Sequence, residues 1–263
     1  QGVDLLSLTD HDTFSGIPEF LESACEQEVE AFPGIEITVA YRDFNLHLLC
    51  YFKDLESIQS ELWDRVEAMK NQREERMHEL IARVNEVVPD RFQGTITFQN
   101  VQRAAEGVMA RPHLAAEMTR LGIVKDIRTA FDRYLVKYNI EKKNLTALEA
   151  LRMVRESNGI PVVAHPGERT YSLVNPKEGR QPGKVPEMVE ELKAHGLMGL
   201  ACVYPYHERT GQVEYFKGLA QSFGLIITGS RDFHGAPTNQ KPELLGTTPM
   251  EPDWLESFRS AWG

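Results

Sequence analysis

The chain alternates between apolar strand candidates and amphipathic helix candidates, and this alternation constrains its fold more than any other feature. The strand candidates lie at residues 3–8, 32–41, 45–52, 160–164, 197–204 and 225–228. Segments in which apolar residues have the spacing of a helix separate most of these strand candidates. A strand–helix–strand order predicts parallel strands joined by right-handed crossovers. Because there are fewer than eight candidates, the sequence favours a seven-stranded or incomplete α/β barrel over a full eight-stranded one.

A long block with few strand signals interrupts this alternation. Residues 55–88 have the apolar spacing of one long charged helix, shorter helix candidates follow it, and residues 94–98 are the only strand candidate in the block. We therefore predict a first barrel segment at residues 1–54, a helical insertion at 55–145 and a second barrel segment at 146–263. The insertion is expected to cap the mouth of the barrel.

Composition and charge exclude several classes of protein. No apolar run in the 263 residues approaches the roughly 20 residues that span a bilayer. The net charge of −10 argues against broad binding to nucleic acid, which needs a basic face, but it allows a small anionic substrate beside bound cations. Cys25, Cys50 and Cys202 form no CxxC pair. We therefore expect reduced thiols in a cytoplasmic protein that does not associate with a membrane.

Histidine and carboxylate residues recur where the apolar runs end. They are His11 with Asp10 and Asp12, Glu36 with His47, His165 before Pro166, and Asp232 with His234. In an α/β barrel the carboxyl ends of the strands converge on one mouth. Imidazole and carboxylate groups are ligands of Zn, Mn and Fe. The whole set therefore predicts a multinuclear metal site.

Each member of the set also has an ordinary structural interpretation. A single histidine at a strand end, such as His11, is more often a hydrogen-bonded structural residue than a ligand. Asp10 and Asp12 could bind a metal ion or orient His11, and Asp12 could instead cap the following turn. Glu36 is costly within an apolar strand unless it is paired, binds a cation or reaches solvent at a sheet edge. A hairpin or two adjacent strands would bring it close to His47.

The pair Asp232 and His234 is the strongest single signal. In extended backbone, residues spaced i, i+2 lie on one face, so the two side chains can share one metal ion or two adjacent ones. His207, at another strand end, could bind a metal ion or support a ligand. Arg111 and His113 open a helix candidate in the insertion, and a helix N-terminus beside these residue types favours phosphate.

The motifs around these residues resemble those of the PHP family, the polymerase and histidinol phosphatase phosphoesterases. The matching stretches are Leu8-Thr9-Asp10-His11-Asp12-Thr13, Gly34-Ile35-Glu36, His47-Leu48-Leu49-Cys50-Tyr51-Phe52, Arg111-Pro112-His113, Ala164-His165-Pro166-Gly167 and Gly229-Ser230-Arg231-Asp232-Phe233-His234-Gly235. The order of the motifs agrees along nearly the whole chain. The chain is most similar to the branch that removes phosphate from nucleoside 3′,5′-bisphosphates and, in some members, trims RNA 5′ ends.

This resemblance implies a fold, a cofactor and a set of site residues. The implied fold is a distorted seven-stranded (β/α) barrel with a helical insertion, and the implied cofactors are two or three divalent metal ions, namely Mn, Fe or Zn. The implied ligands are His11, Glu36, His47, His165, Asp232 and His234, with Glu36 bridging the ions. The resemblance also implies that Arg111 and His113 face the substrate phosphate.

The chain departs from the family pattern in three places. The family has a His-x-His motif on an earlier strand, and the sequence begins at Gln1 without it. We expect this motif to precede Gln1, because the other ligand positions are present; the alternative is that the protein has lost the site. Arg231 stands where relatives have a small residue, and it adds a cation beside the site. The stretch Leu200-Ala201-Cys202 lacks a glutamate that many relatives carry, which would alter metal support or substrate fit.

These features favour a metal-dependent phosphoesterase that hydrolyses phosphomonoesters of nucleotides or similar small phosphorylated substrates, with RNA 5′ ends as a further substrate class. Two alternatives stay open. The missing His-x-His motif would suit a non-catalytic PHP remnant that binds a nucleotide or a partner protein. A barrel amidohydrolase also uses histidines at strand ends, but Arg111-Pro112-His113 and the Asp232/His234 pair favour phosphate chemistry.

Overall fold

The computed structural model of the chain contains two compact units. The first comprises Gln1–Val66 and Asn144–Gly263, and the second comprises Glu67–Lys143. The structure describes residue 3 and residues 5–105, 109–140, 144–168, 170–234, 244–248 and 250–262. Within these ranges, no helix combines the length and the apolar character that crossing a membrane requires.

The first unit is built around one mixed, curled sheet. Its strands are β1 (Leu5–Leu8), β2 (Glu30–Tyr41), β3 (Phe44–Tyr51), β4 (Leu145–Thr146), β5 (Ile160–Val163), β6 (Gly199–Val203) and β7 (Ile226–Gly229). They follow the order β1-β2-β3-β5-β6-β7, and β4 pairs with β2 beside this path. Among the described strands, β1 and β7 end this path, and the sheet forms a curled half-barrel, in agreement with the incomplete barrel that the sequence allows. A full seven-stranded (β/α) barrel stays a prediction.

A tight hairpin makes the sheet mixed instead of fully parallel. Tyr41 pairs with Phe44 across a two-residue turn, in which Arg42 has a φ of 52°. Strand β3 is therefore antiparallel to β2, and it is also antiparallel to β5. Strands β5, β6 and β7 are parallel, as the strand–helix–strand order predicts. The difference arises because a short turn reverses the chain, whereas a crossover helix returns it in the same direction.

The helices follow from local capping and apolar spacing. They are α1 (Ile17–Glu26), α2 (Ser60–Val87), α3 (Phe98–Ala105), α4 (Arg111–Arg120), α5 (Ile127–Ala130), α6 (Ala147–Glu156), α7 (Val185–Ala194), α8 (Pro205–Thr210), α9 (Val213–Ser222) and α10 (Pro252–Ser260). Helix α6 begins with a capping box, in which Thr146 and Glu149 exchange hydrogen bonds with each other's backbone N–H. Its buried face, which includes Ala147, Ala150, Leu151 and Val154, packs on β2 and β5.

The second unit is helical and has its own apolar core. Helix α2 contributes Met77, Leu80 and Val84 to this core, and α4 contributes Leu114 and Met118. The strand candidate at residues 94–98 does not form. Instead, the side-chain amide of Asn85 exchanges two hydrogen bonds with the backbone of Ile96, which replaces the partner that a strand would need. That the insertion caps the mouth of the barrel stays a prediction.

Candidate metal centre

His11, Glu36 and His47 bring potential ligand atoms to one point in the first unit. One nitrogen or oxygen atom from each lies within 4.8 Å of the others. The Nδ1 atom of His47 is 2.6 Å from Oε1 of Glu36, and the Nδ1 atom of His11 is 3.9 Å from Oε2 of the same carboxylate. Glu36 thus presents a different oxygen to each imidazole, which is the arrangement of a carboxylate able to bridge two metal ions.

The hairpin register explains how Glu36 and His47 meet. Glu36 lies opposite Leu49, and His47 lies opposite Thr38. Opposite residues of an antiparallel pair share a face, and so do residues spaced i, i+2, so Glu36 and His47 are diagonal neighbours. His11 forms a parallel bridge with Glu36 beyond the end of β1. The expectation that every ligand follows a strand end is therefore wrong for Glu36 and His47, because β2 and β3 continue past the end of β1.

His165 joins this cluster from the end of β5. The backbone N–H of Ala164 donates to the carbonyl of His47 at 3.0 Å, and His165 then adopts a φ of 29°, which ends the strand. Its Nε2 atom lies 3.3 Å from Oε1 of Glu36 and 3.3 Å from Nδ1 of His47. Its other ring nitrogen, Nδ1, is buried and has no hydrogen-bond partner in the described part of the chain.

The electrostatics of Glu36 and His11 suit metal ligation. Burial acts to raise the pKa of Glu36, but hydrogen bonds from His165 and His47 outweigh it and hold the pKa far below its usual range. Burial lowers the pKa of His11, although the charge of Glu36 opposes this effect. Burial raises the pKa of Asp10. An ionised carboxylate beside a neutral imidazole is the protonation state that a metal ion requires.

Asp10 and Asp12 fix the position of His11 against β2. The carbonyl of Asp10 accepts a hydrogen bond from the N–H of Glu36 at 3.0 Å, and the N–H of Asp12 donates to the carbonyl of Glu36 at 2.9 Å. Asp12 is only 1% exposed, and its Oδ1 accepts from the N–H of Thr38 at 2.8 Å. The structure therefore gives Asp12 a positioning role, while a direct role of Asp10 or Asp12 in the chemistry stays a prediction.

Asp232 and His234 lie beside His11 but not on extended backbone. Asp232 has a φ of 49°, and its N–H donates to Oγ of Ser230 at 2.8 Å. The expectation of an extended i, i+2 pair is wrong, because this left-handed residue turns the chain. The two side chains still meet, with Nδ1 of His234 3.5 Å from Oδ1 of Asp232. The rings of His234 and His11 are 5.9 Å apart.

His207 supports the loop that carries His165. It is fully buried, its Nδ1 is 2.8 Å from the carbonyl of Cys202, and its Nε2 accepts a hydrogen bond from the N–H of Gly167 at 2.9 Å. Its ring also stacks on Phe216. Burial lowers its pKa, which favours the neutral ring that these two hydrogen bonds require. Because both nitrogens contact the backbone, the supporting role agrees with this geometry better than metal binding does.

The guanidinium of Arg231 donates hydrogen bonds to Glu208 and Thr247. Its Nη1 donates to Oε2 of Glu208 at 2.6 Å, and its Nε donates to Oγ1 of Thr247 at 2.9 Å. Its Nη2 donates to the carbonyl of Thr247. The cation that the sequence places beside the site is therefore balanced by a carboxylate, and it ties the end of β7 to two other segments.

Arg111 and His113 open α4 in the second unit. The Nη1 atom of Arg111 donates to Oδ1 of Asn139 at 3.2 Å, and the guanidinium lies 5.6 Å from the centre of the Phe131 ring. The Nδ1 atom of His113 accepts from the N–H of Ala110 at 3.0 Å and so caps the helix. Contact of either residue with a substrate phosphate stays a prediction.

Sequence reasoning missed three residues around the cluster. The hydroxyl of Tyr204 donates to Oε2 of Glu168 at 2.7 Å. The ring of Tyr171 stacks on His47, with centroids 4.3 Å apart and an interplanar angle of 12°. Burial, with Glu168 beside it, raises the pKa of Tyr204, so its hydroxyl remains a donor. Their only sequence signal is that they closely follow β5 or β6, and tyrosine and glutamate are common at such positions.

The donor set fits divalent metal ions. A cavity of about 870 Å³ in the first unit is lined by apolar residues and by polar residues that include His11, Glu36, His165, Tyr204, Asp232 and His234. Imidazole nitrogens with an ionised carboxylate between them match the ligand preferences of Zn, Mn and Fe. His165 also fits, because its two ring nitrogens have different surroundings, as those of a ligating imidazole do. Its Nε2 faces Glu36, and its buried Nδ1 has no hydrogen-bond partner among the described residues.

The chain is similar to three curated proteins along most of its length. A 5′-3′ exoribonuclease of Haemophilus influenzae is 26% identical over 239 residues, covering 89% of this chain and 80% of that protein. A 3′,5′-nucleoside bisphosphate phosphatase of Chromobacterium violaceum is 24% identical over 234 residues, covering 88% and 76%. A phosphoribosyl 1,2-cyclic phosphate 1,2-diphosphodiesterase of Eggerthella lenta is 25% identical over 244 residues, covering 89% and 84%. No protein-family model matches the chain.

Two solved structures share the fold. A provisionally assigned metal-dependent phosphoesterase from Bifidobacterium adolescentis superposes with a TM-score of 0.75 at 23% identity, over 99% of this chain and 86% of that one. An amidohydrolase from Chromobacterium violaceum, solved with bound sulfate, superposes with a TM-score of 0.73 at 21% identity, over 98% and 86%. Together the comparisons support a PHP-like phosphoesterase. They also support a hydrolase, and with the His/Glu/His cluster they support the use of divalent metal.

Proposed function

We propose that the protein is a metal-dependent phosphoesterase that hydrolyses phosphomonoesters of nucleotides. The observation that carries this proposal is the cluster of His11, Glu36 and His47, whose ligand atoms lie within 4.8 Å of one another. His165 extends the cluster, since its Nε2 is 3.3 Å from Glu36. The three relatives are an exoribonuclease, a nucleoside bisphosphate phosphatase and a cyclic phosphate diphosphodiesterase, and they support a phosphate ester as the substrate of this chain.

Each residue of the cluster has a defined task in this proposal. The residues that would hold two or three divalent ions (Mn, Fe or Zn) are His11, Glu36, His47, His165, Asp232 and His234. When bound, such ions polarise the phosphoryl oxygens and lower the pKa of the attacking water. Glu36 remains ionised between the imidazoles, and Asp12 and His207 hold the backbone that carries His11 and His165.

The proposed substrate is a small nucleotide with a phosphomonoester group. One relative is a nucleoside bisphosphate phosphatase and another is an exoribonuclease, so both a free nucleotide and an RNA 5′ end are substrates to test. Arg111 would supply a charge-assisted contact to the phosphoryl group, and His113 would lie beside it at the start of α4. The net charge of −10 favours the small nucleotide over RNA.

Phosphate release from a nucleoside 3′,5′-bisphosphate in the presence of Mn²⁺ tests the proposal. Glu36→Gln keeps the shape of the side chain but removes its charge, and it should lower turnover by about 100-fold or more. Glu191→Gln is the control, because it makes the same substitution at a glutamate that accepts a hydrogen bond from Tyr41 at 2.7 Å and is not part of the cluster. Equal turnover in wild-type protein and Glu36→Gln would contradict the proposal.

The same assay separates the two alternatives. A wild-type protein that binds Mn²⁺ or a nucleotide but releases no phosphate from nucleotides or RNA would identify a non-catalytic remnant. A protein that cleaves amide substrates and leaves phosphomonoesters intact would identify an amidohydrolase. Phosphate release that is lost on chelation and restored by Mn²⁺ supports the phosphoesterase.

A further inference from the structure

Glu168 and Tyr204 form a hydrogen-bonded pair beside two of the proposed ligands. The hydroxyl of Tyr204 donates to Oε2 of Glu168 at 2.7 Å, and the same hydroxyl lies 3.2 Å from Oδ2 of Asp232. Tyr204 directly follows β6, Glu168 lies in the loop after His165, and Asp232 follows β7. One phenol therefore connects side chains that come from three separate strand ends.

The second ring nitrogen of His165, Nδ1, lies where this pair could orient it. A neutral imidazole that offers the lone pair of Nε2 to a metal ion carries its proton on Nδ1. This Nδ1 is buried without a hydrogen-bond partner among the described residues, and it lies 3.9 Å from Oε2 of Glu168. That distance is too long for a hydrogen bond, but a shift of about 1 Å would close it. Metal-ligating histidines generally donate from their second nitrogen to a carboxylate, a carbonyl or water.

We propose that Glu168 and Tyr204 are positioning residues for the metal site: Glu168 accepts the Nδ1 proton of His165, and Tyr204 links Glu168 to Asp232. This inference rests on the proposed metal site and adds two residues that the family resemblance does not supply. The hydroxyl of Tyr204 has a single proton, for which Glu168 and Asp232 compete. When Glu168 accepts from His165, the tyrosine proton becomes available to Asp232, so the pair couples ligands from β5 and β7.

The surroundings hold both residues where this role needs them. Tyr204 is only 7% exposed, and its ring lies 5.6 Å from the ring of His165. The N–H of Glu168 donates to the carbonyl of His165 at 3.0 Å, which fixes the glutamate backbone against the histidine that it would orient. The relay then needs only the shift of about 1 Å that brings Oε2 of Glu168 within hydrogen-bond distance of Nδ1 of His165.

The test measures Mn²⁺ affinity by calorimetric titration of metal-free protein, without substrate. Tyr204→Phe and Glu168→Gln should each weaken the binding about 10- to 100-fold, which is the usual effect of losing a group that orients a ligand. The double variant should lose less than the product of the two single losses, because both residues act through one relay. Metal-free wild-type protein and single variants should unfold at similar urea concentrations.

A second tyrosine–glutamate pair in the same unit provides the matched control. The hydroxyl of Tyr41 donates to Oε2 of Glu191 at 2.7 Å, and Tyr41 is 3% exposed, so Tyr41→Phe removes the same kind of hydrogen bond from a similarly buried ring. This variant should bind Mn²⁺ like the wild type. Wild-type affinity in both Tyr204→Phe and Glu168→Gln would overturn the inference. The inference would also be overturned if Tyr204→Phe and Glu168→Gln lost affinity only together with the stability of the metal-free protein, while Tyr41→Phe kept that stability.

The two proposals can fail separately. A wild type that hydrolyses nucleotides, combined with variants of normal Mn²⁺ affinity, overturns the role of Glu168 and Tyr204 and leaves the phosphoesterase standing. A wild type that binds Mn²⁺ but cleaves no phosphate ester, combined with weakened binding in both variants, supports that role and refutes the phosphoesterase.

Discussion

The loop after His165 allows a sharp test of how the fold positions this ligand. A Cβ atom added at Gly167 would lie 2.3 Å from Oε1 of Gln212, 2.6 Å from Cε2 of Phe216 and 2.9 Å from Nε2 of His207. The Gln212 amide ends a flexible side chain and can move away. Phe216 and His207 are fully buried and have little room to move. Gly167→Ala must therefore displace His207 and Phe216 or move the loop that carries Gly167.

The expected cost follows from these contacts. Forcing a methyl group into a packed interior costs about 1–3 kcal/mol. Displacing His207 also weakens its hydrogen bonds to Gly167 and Cys202, each worth about 1 kcal/mol. We therefore expect Gly167→Ala to lower the free energy of unfolding by about 2–4 kcal/mol. Because His165 lies in the same loop, Mn²⁺ affinity should also fall about 10-fold or more.

Urea unfolding of metal-free protein and calorimetric titration with Mn²⁺ measure the two effects. Gly183→Ala is the control, because a Cβ at Gly183 meets nothing within 4 Å. Its stability should stay within about 0.5 kcal/mol of wild type. If Gly167→Ala matched this control in both stability and metal affinity, the argument that His207 and Phe216 fix the loop of His165 would be refuted.

Three further predictions concern the metal, the cluster and the second unit. Tyr171→Ala removes the ring stacked on His47 and should weaken Mn²⁺ binding about 2- to 10-fold in a calorimetric titration, whereas Tyr171→Phe should not; equal losses would argue against stacking. Arg111→Ala should cost about 1.5–3 kcal/mol in kcat/KM for a nucleotide with little change in urea stability, and unchanged kinetics would remove Arg111 from the site. Chelation of the metal should lower Tm by roughly 5–10 °C in a thermal melt, reversed by Mn²⁺ at about 100 times its Kd; an unchanged Tm would contradict metal binding to the folded state.

Much of the local structure could be predicted from the sequence. Periodicity, capping and chain order predict the end of α2 before Pro89, the capped helix α6 and the parallel strands β5 to β7. These signals are local, since each depends on residues within a few positions of one another. The hairpin turn was visible only as a polar pair, Arg42 and Asp43, and its antiparallel direction depended on pairing that the sequence left open.

The supporting contacts of the site could not be predicted in this way. Glu208 balances Arg231, His207 receives the N–H of Gly167, and Tyr204 donates to Glu168. Each of these pairs joins segments that are far apart in the sequence. Nothing near Tyr204 in the chain indicates that a glutamate 36 positions away accepts its hydrogen bond.

The sequence by itself determined which groups are available for chemistry: histidines and carboxylates near the ends of apolar runs, as a metal site requires. Only the tertiary structure decided which of them meet. Glu36 and His165 are 129 positions apart, yet their side chains lie 3.3 Å from each other because β3 pairs with β2 on one edge and with β5 on the other. Residue type is a local property, whereas distance between side chains depends on strand pairing, register and packing across the whole sheet.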